Sequence, residues 1–212
     1  GVSIDGGSTI TTNSATPTVT VNVENLANAE DGATVELLVN GGVVASSTLT
    51  AGATLAAIAL PTTNDGTYDL VARVTDLAGN VTTTAATDLI VDTVAPADTT
   101  ITVAGESNGL NDTEATSAVA VTLSLPTDAT LISAKIGATD LTEVTAGSDY
   151  TFDSDEPVAV LNDGDHTVTV VTEDTAGNQT ISSKVITIDT TEPANPADLS
   201  IGADNLVSAS EA

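Results

Sequence analysis

The stretch from Asp65 to Asn80, DGTYDLVARVTDLAGN, returns 98 residues later as DGDHTVTVVTEDTAGN from Asp163 to Asn178. A unit of that length written twice confines the chain to a tandem array of small domains, each large enough to bury a core of its own. The core must be built without disulfides, because the 212 residues include no cysteine; methionine and tryptophan are also absent, and the aromatics are Tyr68, Tyr150 and Phe152. Val, Ile, Leu, Ala and Thr are left to fill it, a β-branched set that suits pleated surfaces. Absent cysteines do not decide the compartment, since an acidic, Thr-rich exported bacterial protein avoids them too.

Thirty acidic residues stand against three basic ones, Arg73, Lys135 and Lys184, for a formal charge of −27. Such a chain repels nucleic acid and acidic membranes, so nucleic-acid binding is excluded as a function class. Its own domains repel one another as well unless cations intervene. No apolar run reaches the length of a membrane span, so no membrane insertion is expected. Residues 1–20 lack a basic start followed by an apolar stretch, which reads as an excerpt from a longer chain.

Apolar residues alternate with small or polar ones over 18–23 and 118–125, the period of a half-buried strand, at equivalent places in the two units. Further strands are expected over 35–39, 43–49, 55–60, 68–75 and 81–91, and in the second unit over 131–136, 141–144, 150–152, 158–161, 166–173 and 179–188. No stretch shows a helical period. Seven or so short strands per unit, separated by Asn40-Gly41-Gly42, Asn64-Asp65-Gly66 and Asn162-Asp163-Gly164, predict an all-β fold of tandem immunoglobulin-like β-sandwich domains. The antibody type is excluded by the missing cysteines and tryptophan.

Each unit closes on a strand and a proline linker, Val91-Asp92-Thr93-Val94-Ala95-Pro96 and Ile188-Asp189-Thr190-Thr191-Glu192-Pro193. Proline holds the residue before it extended and narrows the choices of the linker, so free swinging is not expected. After Pro193 the pattern restarts, Ala197–Ile201 answering to Ala97–Ile101. The expected division is 1–93 and 94–190 as two domains, with 191–212 as a linker and the truncated start of a third.

In combination, the Asp-x-x-Ala-Gly-Asn loops (Asp76 to Asn80, Asp174 to Asn178), the Asp-Thr-x-x-Pro linkers and the Glu-Ala after a short Asn/Asp-rich loop resemble the bacterial immunoglobulin-like repeats of giant type I-secreted adhesins of the RTX and related classes. The resemblance covers the chain in two and a fraction repeats. It implies a secreted, extracellular segment at the bacterial cell surface, a stalk stiffened by calcium that holds a distal binding tip away from the cell.

In a seven-strand sandwich, the turn before strand F and the end of strand G share one pole, while the F–G loop lies at the other. Asp65 and Asp92 of the first unit should therefore meet Asp174 and Asn178 of the second at the junction. Asp163, Asp189 and Glu114 should gather at the next junction, and Asp76 and Asn80 should face a preceding domain. Ca²⁺ takes six to eight oxygens in adaptable geometry, which loops supply more readily than the strict octahedron of Mg²⁺. Ser14 stands where the second repeat has Glu114, weakening the ligand count at the Asp92 junction. The same Asp-Gly and Ala-Gly-Asn motifs also serve as plain turns, because Gly and Asn tolerate positive φ and Asp caps nearby backbone.

The acidic run 149–156, present only in the second repeat, reads as either an extra intradomain metal site or a solvated loop, and the loop is the favoured reading. His166, the lone histidine, aligns with Tyr68 at the start of strand F, where an aromatic with a polar tip bonds backbone at the domain corner; no nucleophile motif accompanies it, so no enzyme is expected. Glycosylation triplets at Asn80, Asn111 and Asn178 read as chance matches in a Thr-rich chain. The function these features suggest is an adhesin stalk whose partners are neighbouring repeats and calcium ions, with any host or surface ligand held by other regions. The rival is a module that itself binds a glycan, peptide or surface.

Overall fold

The computed structural model describes residues 2–23, 31–115, 119–145, 149–151 and 161–194. In the first repeat, β1 (Ser3–Ile4), β3 (Thr18–Asn22) and β6 (Leu55–Ala59) form one sheet in the order β1-β3-β6. Facing it are β2 (Ile10–Thr12), β9 (Thr87–Val91), β7 (Gly66–Thr75), β4 (Thr34–Val39) and β5 (Gly42–Thr48), hydrogen-bonded in that order, with β8 (Val81–Thr83) also on β7. Strict alternation decides which faces meet: Val19 and Val21, Val35 and Leu37, Ala56 and Ile58, and Leu70, Ala72 and Val74 are buried, while the residues between them point outward. The β4–β5 hairpin turns on Asn40 (φ 48°) and Gly41 (φ 82°), the two left-handed positions that an Asn-Gly pair accepts at little cost.

The second repeat pairs β10 (Thr100–Val103), β11 (Ala120–Ser124), β15 (Asp149–Thr151) and β14 (Thr142–Thr145) in the order β10-β11-β15-β14. The opposing sheet runs β13 (Thr139–Asp140), β12 (Ala129–Ile136), β16 (Gly164–Asp174), β17 (Gln179–Ile188). Its core is a separate cluster that includes Val121, Leu123, Ile136, Val168, Val170 and Ile188, distinct from the first repeat's Ile4, Val19, Leu37, Leu70 and Leu89. Two interiors without a shared residue follow from the repeat, since each unit closes its own pair of apolar faces.

One expected strand changes. The strand expected over 81–91 is two strands, because β8 pairs with the Arg73–Thr75 end of β7 and β9 with the Gly66–Leu70 end. Between them Thr84 docks on Ala72, giving its N–H to the Ala72 carbonyl and taking the Ala72 N–H on its hydroxyl at 3.0 Å. In the second repeat, the same stretch stays one strand over Gln179–Ile188. Among the described residues helix is limited to one turn, α1 (Asp112–Ala115), and two 3-10 turns, Asp5–Gly7 and Glu106–Asn108. Most of the expected strand 158–161, the 152–156 part of the acidic run and the restart over 197–212 lie outside the described residues. Among the described residues no helix is long and apolar enough to cross a membrane.

Candidate functional site

Strands F and G of the sandwich are β7 and β9 in the first repeat and β16 and β17 in the second, and the F–G loop of the second repeat is organised by one carboxylate. Asp174 Oδ1 accepts the N–H groups of Ala176 (2.8 Å) and Asn178 (2.9 Å), and its Oδ2 accepts Asn178 Nδ2 at 2.8 Å. Gly177, at φ 91°, supplies the left-handed turn that brings the chain back. Burial raises the Asp174 pKa, but the Asn178 side chain and the backbone N–H groups of Asn178, Ala176 and Gly177 outweigh it and hold the carboxyl below its ordinary range. The first repeat makes the same loop: Asp76 accepts the Asn80 backbone and side-chain N–H groups, each at 2.7 Å, and Gly79 sits at φ 87°. The Asn80 side chain, then its backbone N–H, lower the Asp76 pKa.

At the opposite pole the aspartates hold the chain leaving strand G. Asp65 Oδ1 accepts Thr93 N at 3.0 Å and Thr93 Oγ1 at 2.9 Å, and Asp92 Oδ1 accepts Val94 N at 3.1 Å. The second repeat copies this: Asp163 takes Thr190 N (2.9 Å), Thr190 Oγ1 (2.7 Å) and Thr191 Oγ1 (2.7 Å), while Asp189 takes Thr191 N at 3.1 Å. The Thr191 hydroxyl, with the Thr190 N–H and hydroxyl, holds the Asp163 carboxyl below its ordinary range. Glu114 closes a capping box on α1: Asn111 N donates to Glu114 Oε2 and Glu114 N to Asn111 Oδ1, both at 3.1 Å. Asn111, Asp112, Glu114, Asp189, Thr191 and Glu192 line an open cleft of about 510 Å³ at this pole.

The structure brings Asp65, Asp92, Asp174 and Asn178 to one junction, but the bonds that cross it are made by amides. Asn178 Nδ2 donates to the backbone carbonyl of Asp92 at 2.8 Å, and Asn13 Nδ2 to that of Gly177 at 2.9 Å. The far half of the linker is laid on the second repeat, where Thr180 Oγ1 donates to Pro96 O at 2.5 Å and Thr99 N to Ser182 Oγ at 2.8 Å. With Thr93 tied to Asp65 and Pro96 buried on β17, only Val94 and Ala95 span the gap. Asp163, Asp189 and Glu114 share the second repeat's far pole, whereas Asp76 and Asn80 lie at the outer pole of the first. Among the described residues no group of three His, Cys, Asp or Glu side chains is arranged to hold a metal ion.

Sequence reasoning missed Asn13 and misplaced Ser14. Asp92 N bonds Thr12 O and Asp189 N bonds Leu110 O, each at 3.0 Å. Thr12 therefore answers to Leu110, Asn13 to Asn111, Ser14 to Asp112 and Thr16 to Glu114. The recurring Asn at those two places was the available signal for Asn13, and the Asn-x-x-Glu spacing was the one for the α1 cap.

All three basic side chains are engaged inside their own repeats. Arg73 pairs with Glu36 at 2.7 Å across β4 and β7, Lys135 with Asp140, and Lys184 with Glu106 while also reaching Ile101 O. No basic side chain answers the pole carboxylates. The corner residues behave as equivalents: Tyr68 Oη donates to Asn64 O and His166 Nε2 bonds Asn162 O, each at 2.8 Å over four residues. His166 is thus a corner group, with Asp165 engaged by Thr187 instead.

Two facing sheets per repeat, antiparallel apart from the parallel β2–β9 pair, with a tyrosine or histidine bonded back to the chain at the corner, define an immunoglobulin-like β-sandwich protein. Residues 3–93 match the family described as Bacterial Ig-like domain. No curated protein matches the sequence. Among solved structures, the fibronectin(III)-like modules of Clostridium thermocellum CbhA are similar at 15% identity and a TM-score of 0.55, over 93% of this chain and 100% of that one. That likeness is one of fold. A Ca²⁺-stabilised ice-binding adhesin of an Antarctic bacterium is similar at 20% identity and a TM-score of 0.48, over 90% of this chain and 48% of that one. A structure from a 1.5-MDa bacterial ice-binding adhesin has the same identity and score, with 90% of this chain and 64% of that one covered. The chain thus spans under two thirds of either adhesin structure.

Proposed function

We propose that this chain is a spacer segment of an extracellular bacterial adhesin, with domains 1–93 and 94–190 stacked as consecutive repeats and stiffened by Ca²⁺ at their poles. The observation that carries the reading is the engagement of all three cationic side chains within the repeats in a chain of formal charge −27. The carboxylates at the poles can then be neutralised only by mobile cations, and their donors are hard oxygens of the kind calcium takes. The ion is assigned first to the open cleft at the end of the second repeat, which Glu114 and Asp189 line. There Glu114 and Asp189, with Asp163 beside them, would hold it, and backbone carbonyls would complete the shell. Asp65 and Asp92 are the residues left to contribute at the first junction. The match of residues 3–93 to the bacterial Ig-like family and the tandem repeat support a bacterial surface role, and the low aromatic content disfavours stacking on sugars. No residue is assigned a catalytic role.

Ion binding to the folded form alone stabilises it by mass action, and the weak affinities of extracellular modules suffice in millimolar Ca²⁺. The test is calorimetric titration with Ca²⁺, together with melting and small-angle scattering in Ca²⁺, Mg²⁺ and EDTA. Calcium should raise the melting temperature and narrow the distribution of interdomain angles, with Mg²⁺ rescuing only in part. Melting and scattering that do not change in chelator, with no binding heat, would defeat the calcium reading.

A further inference from the structure

The bonds that cross the junction come from neutral amides, and the one from Asn178 is prepared by the repeat that supplies it. Asn178 uses one N–H of its side chain on Asp174 Oδ2 and the other on Asp92 O, so the internal bond aims the external one. The Asp76–Asn80 loop has the same Asp–Asn pairing with no neighbouring repeat engaged among the described residues. The loop shape therefore exists before docking, and docking need not order it. Asn13 completes a second bond on the adjacent residue, at Gly177 O.

We propose that Asn178 and Asn13 form a metal-independent amide latch that sets the angle between consecutive repeats, its partner surface being the strand-G end of the preceding repeat. The latch uses backbone carbonyls as acceptors, so it adds no charge to a junction already crowded with carboxylates. It also suits a linker as short as Val94-Ala95, because two hydrogen bonds remove the swing and twist that so short a tether still allows. Asn178 and Asn13 are positioning residues. The inference rests on the tandem-spacer reading only in taking the two repeats as consecutive units of one array; it does not require the ion.

The test is measurement of residual dipolar couplings on the whole 212-residue chain in EDTA, with the two repeats fitted separately. Wild type should give one shared alignment tensor. Asn178→Ala and Asn13→Ala should each give two differing tensors, while the chemical shifts within each core are retained. Asn178→Asp, which keeps the shape but sets a carboxylate against Asp174 and the Asp92 carbonyl, should uncouple the repeats further. Asn80→Ala is the internal control, since it removes the same loop bond away from the junction and should leave the tensor shared. Two tensors for wild type in EDTA, no effect of Asn178→Ala, or equal uncoupling by Asn80→Ala would each overturn the latch. The first of these would leave the calcium reading standing; a shared tensor in EDTA with no calcium binding would sink that reading and keep the latch.

Discussion

Replacing Asp174 with alanine removes the acceptor on which the second F–G loop is built. Three hydrogen bonds go at once: from Ala176 N at 2.8 Å, from Asn178 N at 2.9 Å and from Asn178 Nδ2 at 2.8 Å. A hydrogen bond contributes about 0.5–1.5 kcal/mol net, and about 1.5–3 kcal/mol where a charged group takes part. Solvent reaches part of this loop and re-satisfies some donors, so the expected cost to the second repeat is about 2–4 kcal/mol. Asn in place of Asp keeps one oxygen for the two backbone N–H groups but presents an amide nitrogen to Asn178 Nδ2, losing one bond and about 1 kcal/mol. The assay is urea unfolding in EDTA, with each repeat followed by its own amide resonances. The double variant Asp174→Ala, Asn178→Ala should cost less than the two single costs added, because the pair acts through a shared bond. A loss under about 0.5 kcal/mol for Asp174→Ala, or strict additivity in the cycle, would refute the claim that this carboxylate organises the loop.

His166→Tyr should leave the stability of the second repeat nearly unchanged, because Tyr68 already makes the same four-residue corner bond, whereas His166→Ala should cost about 1–2 kcal/mol in chemical denaturation. Equal losses for both would remove the equivalence. Asp76, Asp163 and Asp174 have folded pKa values lowered from the ordinary carboxylate value, so the folded state binds fewer protons than the unfolded chain in acid. Their stabilisation is complete above the unfolded pKa of about 4 and is lost as the pH falls through the lowered folded values. The melting gap between wild type and Asp163→Asn should therefore be full at neutral pH and close in acid; a gap constant with pH would count against the bonds from Thr190 and Thr191.

Much of the fold was legible in the chain itself. Alternation at Val19 and Val21 or at Val168 and Val170 is a local signal, because a strand's period of two puts consecutive side chains on opposite faces whatever the rest of the molecule does. The break between Thr83 and Thr87 was not legible, since no Gly, Pro or Asn marks a turn within 81–91 and the interruption depends on a hydroxyl meeting Ala72 across the sheet. The cap on α1 was written plainly as Asn111-x-x-Glu114 but lay in a four-residue turn too short to show a helical period.

By itself the sequence determined the tandem β-sandwich order, the placement of Asp65 beside the end of strand G and the meeting of that pole with the loop ending at Asn178, because repeat length and strand period dictate topology. Only the tertiary structure decided where the polar groups at that meeting point direct their bonds. A carboxylate serves a turn, a linker or a cation with the same two oxygens, and residue type cannot say which. The contacts that settle it join positions 86 and 164 residues apart, Asn178 to Asp92 and Asn13 to Gly177. No local pattern carries such pairs; they exist once two closed cores have set their poles within reach of one another.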